Sequence, residues 1–514
     1  MNSHTHRFAD RAIRPLKDQF DFDVAIIGAG TAGMSAYREA SRYTDRIALI
    51  DGGPLGTTCA RVGCMPSKLL IAAAEAAEAG RHAAMFGVTH GPAIIDGKAI
   101  MNRVRSERDR FVGFVEQAIM AFDRCELIRE YARFEDNHTL RLSSGRTVTA
   151  RTVVIASGSS PVIPYTLQAA GDRLIVNDDV FDWHDLPGSV AVMGTGVIGL
   201  ELGQALHRLG VRVRLFGRRG RVGMITDPVV RDYAAKCLAD ENPMTWDVEP
   251  AVSREGDKVV LNWGPSAEEQ EQFDFVIAAA GRRPNVAWLG LENTSLAPYE
   301  KDVPPYDALS GRTAAKNIFI AGDATAQLPL LHEAADEGRI AGENAALYPD
   351  FYRRVRRTPI GIVFSDPQIA VVGASHAALL SDRTTDFAVA EVSFEDQGRA
   401  RVMGVNKGLL RVYAENGTGR FLGAEMFGPA AEHIAHLLAW TIEAGMTVEQ
   451  ILQMPFYHPV IEEGVRTAFR HLAEALGGQA NPPLRCMERD AASRPLSVTA
   501  PVAAMLPAAT EIRA

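Results

Sequence analysis

The sequence predicts an α/β chain made of two doubly wound nucleotide-binding units followed by a C-terminal α+β module. Two matching glycine turns and a change of texture near residue 358 carry that expectation. Phe22-Asp-Val-Ala-Ile-Ile27 is a short apolar run that feeds directly into Gly28-Ala-Gly-Thr-Ala-Gly33. A helical stretch follows, then a second strand, Ile47–Ile50, ending in Asp51. In such a unit the first two glycines permit a tight turn and close approach of a pyrophosphate, and the third lets helix and strand pack. The phosphate sits on the helix N-terminus and the acid accepts from a ribose.

The unit recurs. Ser189–Met193 leads into Gly194-Thr-Gly-Val-Ile-Gly199, a helix carrying Glu201, and the strand Val211–Phe216. Here the strand ends in Gly217-Arg218-Arg219, with no acid. Two such units imply two nucleotides, one a tightly held flavin and the other an exchanging nicotinamide. Between them Val153–Pro161 is a strand ending in a small-residue turn at Gly158, and Phe275–Pro284 repeats it at Gly281. Each reads as a crossing point where glycine allows close approach to a ligand. Asn317–Asp323 is a further buried strand, and an acid at its end points into the ligand crevice or caps the following helix, Leu331–Ala346. From Thr358 the pattern changes to strands at Ile360–Val372, Phe387–Phe394, Gly408–Ala414 and Phe421–Phe427, followed by helices at Ala430–Ala444, Thr447–Gln453 and Val460–Leu476. The expected domains are 20–165 and 286–350 for one nucleotide, 166–285 for the other, and 355–476 for the module. Residues 477–514 read as a disordered tail.

Composition narrows the class. A net charge of −9 over 514 residues argues against general nucleic-acid binding. Residues 1–20 are polar and do not form a signal peptide, and no apolar run is long enough to span a membrane. A cytoplasmic protein is expected, with no metal site. The five cysteines are too scattered for a secreted disulfide framework. Cys59 and Cys64 nevertheless stand close together, in Gly56-Thr-Thr-Cys-Ala-Arg-Val-Gly-Cys-Met-Pro-Ser-Lys68, just before an alanine-rich helix beginning near Leu69. Residues five apart in an ideal helix have Cα atoms about 8.7 Å apart, whereas a disulfide needs less than roughly 7 Å. A bond between them requires a break in the helix, and Gly63 is placed to supply it. A thiol at a helix N-terminus is also acidified. The pair reads as a redox dithiol, or else as two unrelated buried cysteines.

Together these motifs resemble the class I pyridine nucleotide–disulfide oxidoreductases over about residues 20–476. Gly28–Gly33, Gly56–Lys68, Ala156–Pro161, Gly194–Gly199, Gly281–Pro284, Gly322–Asp323 and His458–Glu463 carry the likeness, and Cys64-Met-Pro-Ser-Lys68 is most similar to dihydrolipoyl dehydrogenases. The resemblance implies FAD in the first unit, NAD(P) in the second, a C-terminal dimerisation domain and a homodimer. It makes Cys59 the interchange thiol and Cys64 the charge-transfer thiolate against the flavin. Lys68 and Glu201 would pair beside the flavin, Asp51 would bind its adenosine ribose, Asp323 its ribityl chain, and Thr58 and Gly158 would line its site. His458, steered by Glu463, would be the general base for the other subunit's dithiol. A histidine before proline at a helix entrance is also read as a cap or surface residue. The missing acid at Gly217 and the run Arg218, Arg219, Arg221 resemble members that bind a 2′-phosphate, so NADP is favoured over NAD; a solvated basic surface is the other reading. Against NADP, Gly199 is the NAD-type third glycine. Three activities stay open: dihydrolipoyl dehydrogenase, whose lipoyl partner would come from another chain; an NADPH-dependent reductase of another small disulfide or a metal ion; and a non-enzymatic flavin-binding partner or sensor subunit. Mercuric reductases carry a C-terminal cysteine pair, and this tail has only Cys486.

Overall fold

The computed structural model describes residues 19–89, 91–266, 268–296 and 303–484. Its first sheet has seven strands. Phe22–Ile27 lies centrally, parallel to Ile47–Ile50 on one side and to Thr147–Ile155 on the other. Ile318–Ile320, from far along the chain, adds in parallel to Thr147–Ile155. All four residues of Ile47–Ile50 are buried, as a strand covered on both faces requires. The helix Leu331–Leu347 crosses the helix Thr31–Ala40 at very close range. A Cβ at Gly338 or Gly342 would lie 2.2 Å from the carbonyl oxygen of Ala32 or Ala36. Those two glycines fix the glycine turn from behind.

The second sheet is wholly parallel and runs Met244–Trp246, Arg212–Gly217, Ser189–Met193, Phe275–Ala278, Leu174–Ile175. The two small-residue turns become antiparallel strands, Ser159–Pro161 against Arg282–Pro284, that link the sheets. The C-terminal module is a five-stranded antiparallel sheet with helices Ala431–Glu443, Val448–Leu452 and Glu463–Ala475.

Several expected bounds move. Ile360–Val372 is two antiparallel strands, Ile360–Val363 and Gln368–Gly373, because Ser365-Asp366-Pro367 turns the chain. The last helix starts at Glu463 rather than Val460. The alanine-rich helix starts at Cys64, five residues before the expected Leu69. Pro66 falls in its first turn, where no intrahelical N–H is needed. Gly97–Met120, a 24-residue helix, was not expected at all. Of the tail, residues 477–484 carry no helix or strand; the rest, with Cys486, lies outside the described residues.

Candidate active site

The two glycine turns have nearly the same backbone. Gly28 and Gly194 take φ of 109° and 127°, which only glycine adopts readily. A Cβ at Gly33 or Gly199 would meet the carbonyl oxygen of Gly28 or Gly194 at 1.8 and 1.9 Å. The helices that follow, Thr31–Ala40 and Val197–Arg208, begin at Gly30 and Gly196 with no side-chain cap, so their first N–H groups face outward.

Both turns open on one cleft of about 1960 Å³, which Gly30, Gly158, Gly194, Gly196 and Gly281 line. Thr58, Cys59, Cys64 and Lys68 form one wall of it, with Glu201 and Asp323 nearby. Asp323 accepts from the Ser159 hydroxyl at 2.7 Å, and Ser159 accepts in turn from Arg282 at 2.8 Å.

The dithiol stands where two helices meet. Thr58–Val62 carries Cys59, Cys64–His82 begins with Cys64, and Gly63 between them has φ −128° and ψ −115°. A Cβ at Gly63 would press on the Thr58 carbonyl oxygen at 3.1 Å. Asn177, buried, donates to the Val62 carbonyl at 2.8 Å and holds the end of the first helix. Both cysteines are free thiols; Cys64 is exposed to the cleft and Cys59 is half-buried. The Cys59 thiol hydrogen-bonds to Cys64, which pushes Cys59 far above the usual thiol range, with burial adding to the effect. The same bond pulls Cys64 down to about 7, against burial and with help from the Lys68 ammonium. That shared hydrogen bond favours the thiolate on Cys64, with the Cys59 thiol as its hydrogen-bond donor.

Lys68 bonds both oxygens of Glu201, at 2.9 and 2.7 Å. Glu201 is only 4% exposed and also accepts from the Phe364 N–H at 3.0 Å. The Phe364 ring lies 4.4 Å from the Lys68 ammonium, close enough for a cation–π contact. This junction thus draws on the first unit, the second and the C-terminal module. Nothing in the sequence marked Phe364, whose part depends on a backbone N–H and a ring face.

Other expected residues sit elsewhere. Asp51 does not line the cleft; its oxygens accept from the Ala29 and Gly53 N–H groups at 2.7 and 2.8 Å. Gly33 and Gly199 serve packing. Arg218 and Arg221 line the cleft, whereas Arg219 does not. Asp247, at the end of the neighbouring strand, accepts from the Arg219 N–H at 3.0 Å and lies 4.0 Å from its guanidinium. Arg219 is thus held beside Asp247, which itself lines the cleft. His458 is also away from the cleft, with its side chain 81% exposed. Glu463 grips its Nδ1 at 2.9 and 3.0 Å, leaving Nε2 free. That contact holds the Glu463 carboxyl below the usual range.

Residues 22–338 match the family described as pyridine nucleotide-disulphide oxidoreductase, and 360–469 match its dimerisation domain. The chain belongs to this family. It is a flavoprotein disulfide oxidoreductase that works with FAD and a nicotinamide nucleotide, and its dimerisation domain makes it a homodimer. A dihydrolipoyl dehydrogenase of Geobacillus stearothermophilus is 28% identical over 461 residues, 86% of this chain and 94% of that protein. A mercuric reductase of Staphylococcus aureus is 26% identical, covering 87% and 82%. Among solved structures, LpdA from Mycobacterium tuberculosis matches with a TM-score of 0.75 at 24% identity over 88% of this chain and 99% of that one. The HOCl-induced flavoprotein disulfide reductase RclA from Escherichia coli, in its Cu(II) complex, gives 0.74 at 23%, covering 87% and 99%. Both share the fold. Among the described residues no helix is long and apolar enough to cross a membrane. The first glycine turn fits a dinucleotide: Gly30, Thr31 and Ala32 border the cleft with uncapped N–H groups, and no side chain fits at Gly33.

Proposed function

We propose that this enzyme passes electrons between NADP(H) and a small dithiol or disulfide through Cys59 and Cys64, with a dihydrolipoyl group, free or on another chain's lipoyl domain, as the substrate class. The hydrogen-bonded thiol pair at the cleft carries this reading. Bound FAD supplies the two-electron relay between the nicotinamide and the dithiol. In the reducing direction Cys59 must first lose its proton, because its thiolate forms the bond to one substrate sulfur while the substrate S–S bond breaks. Cys64 then attacks Cys59, releasing the second thiolate and leaving a Cys59–Cys64 disulfide. His458 of the partner subunit takes the Cys59 proton and returns it to a leaving thiolate, with Glu463 fixing Nδ1–H so that Nε2 does the work. Thr58, Gly158 and Asp323 hold the flavin, and Lys68 with Glu201 keeps its neighbourhood charged but neutral overall.

Gly217 offers no carboxylate to a ribose, and Arg218 and Arg221 border the cleft beside it. A charge-assisted hydrogen bond contributes about 1.5–3 kcal/mol, so one arginine favours a 2′-phosphate by roughly 10- to 150-fold. The same arginines favour a second reading, an NADPH-dependent reductase of another small disulfide or a metal ion. Turnover with dihydrolipoamide, oxidised glutathione and Hg²⁺, each with both nucleotides, separates the two. Mixing Cys59→Ser and His458→Ala subunits should restore activity, since each mixed dimer holds one complete site; no recovery after subunit exchange would place His458 outside the reaction.

A further inference from the structure

We infer that Thr195 determines nucleotide choice at the second site, by barring any side chain from position 217 and by anchoring the arginine loop. The inference deepens the proposed NADP preference and rests on it. Gly217 lies in a regular parallel strand, opposite Trp246, so its backbone does not call for glycine. Its surroundings do. A Cβ there would sit 2.3 Å from Thr195 Cγ2, 2.5 Å from Oγ1 and 3.0 Å from Cβ.

Thr195 cannot rotate away. It is 3% exposed and β-branched, hence stiff at χ1. Its hydroxyl donates to the Arg221 carbonyl at 2.6 Å, and its own carbonyl accepts from the Gly223 N–H at 2.8 Å. Rotation would break the first of these bonds. The two contacts hold the loop 218–223 in the shape that sets Arg218 and Arg221 along the cleft.

The first unit is an internal control. Its turn has Ala29 where the second has Thr195, and its second strand ends in Asp51 where the other ends before Gly217's missing side chain. With only a methyl at position 29, the acid fits, and the Ala29 N–H donates to Asp51 Oδ2 at 2.7 Å. A small residue in the turn goes with an acid at the strand end; a large one goes with none. Residues 195 and 217 therefore have to change together.

The test uses the full-length, FAD-loaded protein, with melting temperature and calorimetric titration of 2′,5′-ADP and 5′-AMP as readouts. The native chain should bind 2′,5′-ADP at least about tenfold more tightly. Gly217→Asp alone should melt lower and gain no affinity for 5′-AMP. Thr195→Ala/Gly217→Asp, which copies the Ala29–Asp51 pair, should regain the melting temperature and lose the preference for the 2′-phosphate. Thr195→Ala alone should weaken 2′,5′-ADP and not 5′-AMP, whereas Thr195→Ser should keep both. A Gly217→Asp protein that melts like the native one, or a double variant that melts no higher than the single, overturns the inference. Equal native binding of the two ligands would defeat the NADP reading instead, and the melting series would still decide whether Thr195 excludes a side chain at 217.

Discussion

The two glycine turns share a backbone and differ in what surrounds the end of the next strand. In the first, the Asp51 carboxylate is folded back onto Ala29 and Gly53 N–H groups, and two helices are locked together by Gly338 and Gly342. In the second, the strand end is bare, a threonine fills the space above it, and arginines line the opening. What the units repeat is the means of holding a pyrophosphate. What they do not repeat is the surroundings of the strand end, where the proposed choice between nucleotides would be made. On the proposed reading, the first unit keeps its ligand and the second sorts ligands.

Substituting the third glycine of each unit should break this contrast most severely. Gly33→Ala forces a methyl to within 1.8 Å of the Gly28 oxygen, so the protein should elute from gel filtration colourless and inactive. Gly199→Ala meets Gly194 at 1.9 Å but belongs to the other site, so the protein should stay yellow and lose nucleotide binding by calorimetry. If both variants lose flavin, the two units are not separable.

A smaller effect is expected at the seam between them. Lys68→Met leaves Glu201 almost buried and without its cation, at a cost of about 3 kcal/mol in a denaturant melt. It also removes a charge that lowers Cys64, so the thiol titration followed in the ultraviolet should move upward from about 7. An unmoved titration would mean that Cys59 alone sets it.

The smallest effect is a dependence on pH. The folded-state value of Cys64, about 7, lies below the ordinary value of 9.0. Its contribution to the stability of the reduced enzyme is therefore complete above about pH 9 and is lost as the pH falls through 7. Urea midpoints of the reduced protein should drop across that window more than those of Cys64→Ser. Parallel curves would show that the thiolate adds nothing.

Both glycine turns were legible in the sequence because their chemistry is local, with glycine, strand and acid all within one short stretch. Gly63 was legible for the same reason, as two cysteines at that spacing require a break. The helix start at Cys64 was not, since Pro66 reads as a breaker until its place in the first turn is known. Gly97–Met120 escaped notice because only Met101, Val104 and Ile119 of its residues are buried, too few to show a periodic apolar face. The contact between Arg219 and Asp247 was not legible, because Asp247 follows the neighbouring strand of the sheet. The consequence of Thr195 for Gly217 exists only once the two strands stand side by side.

The late strand in the first sheet has a consequence for how the chain is made. Thr147–Ile155 waits for Ile318–Ile320, and Thr31–Ala40 waits for the helix ending at Leu347. Roughly 190 residues separate the end of the waiting strand from the end of that helix. At about 5–20 residues per second on the ribosome, that is an interval of some 10–40 s. The second sheet, whose strands all lie within Leu174–Ala278, is complete before the interval ends. The second glycine-turn unit can fold first during synthesis, and the first closes only after the chain has returned to it.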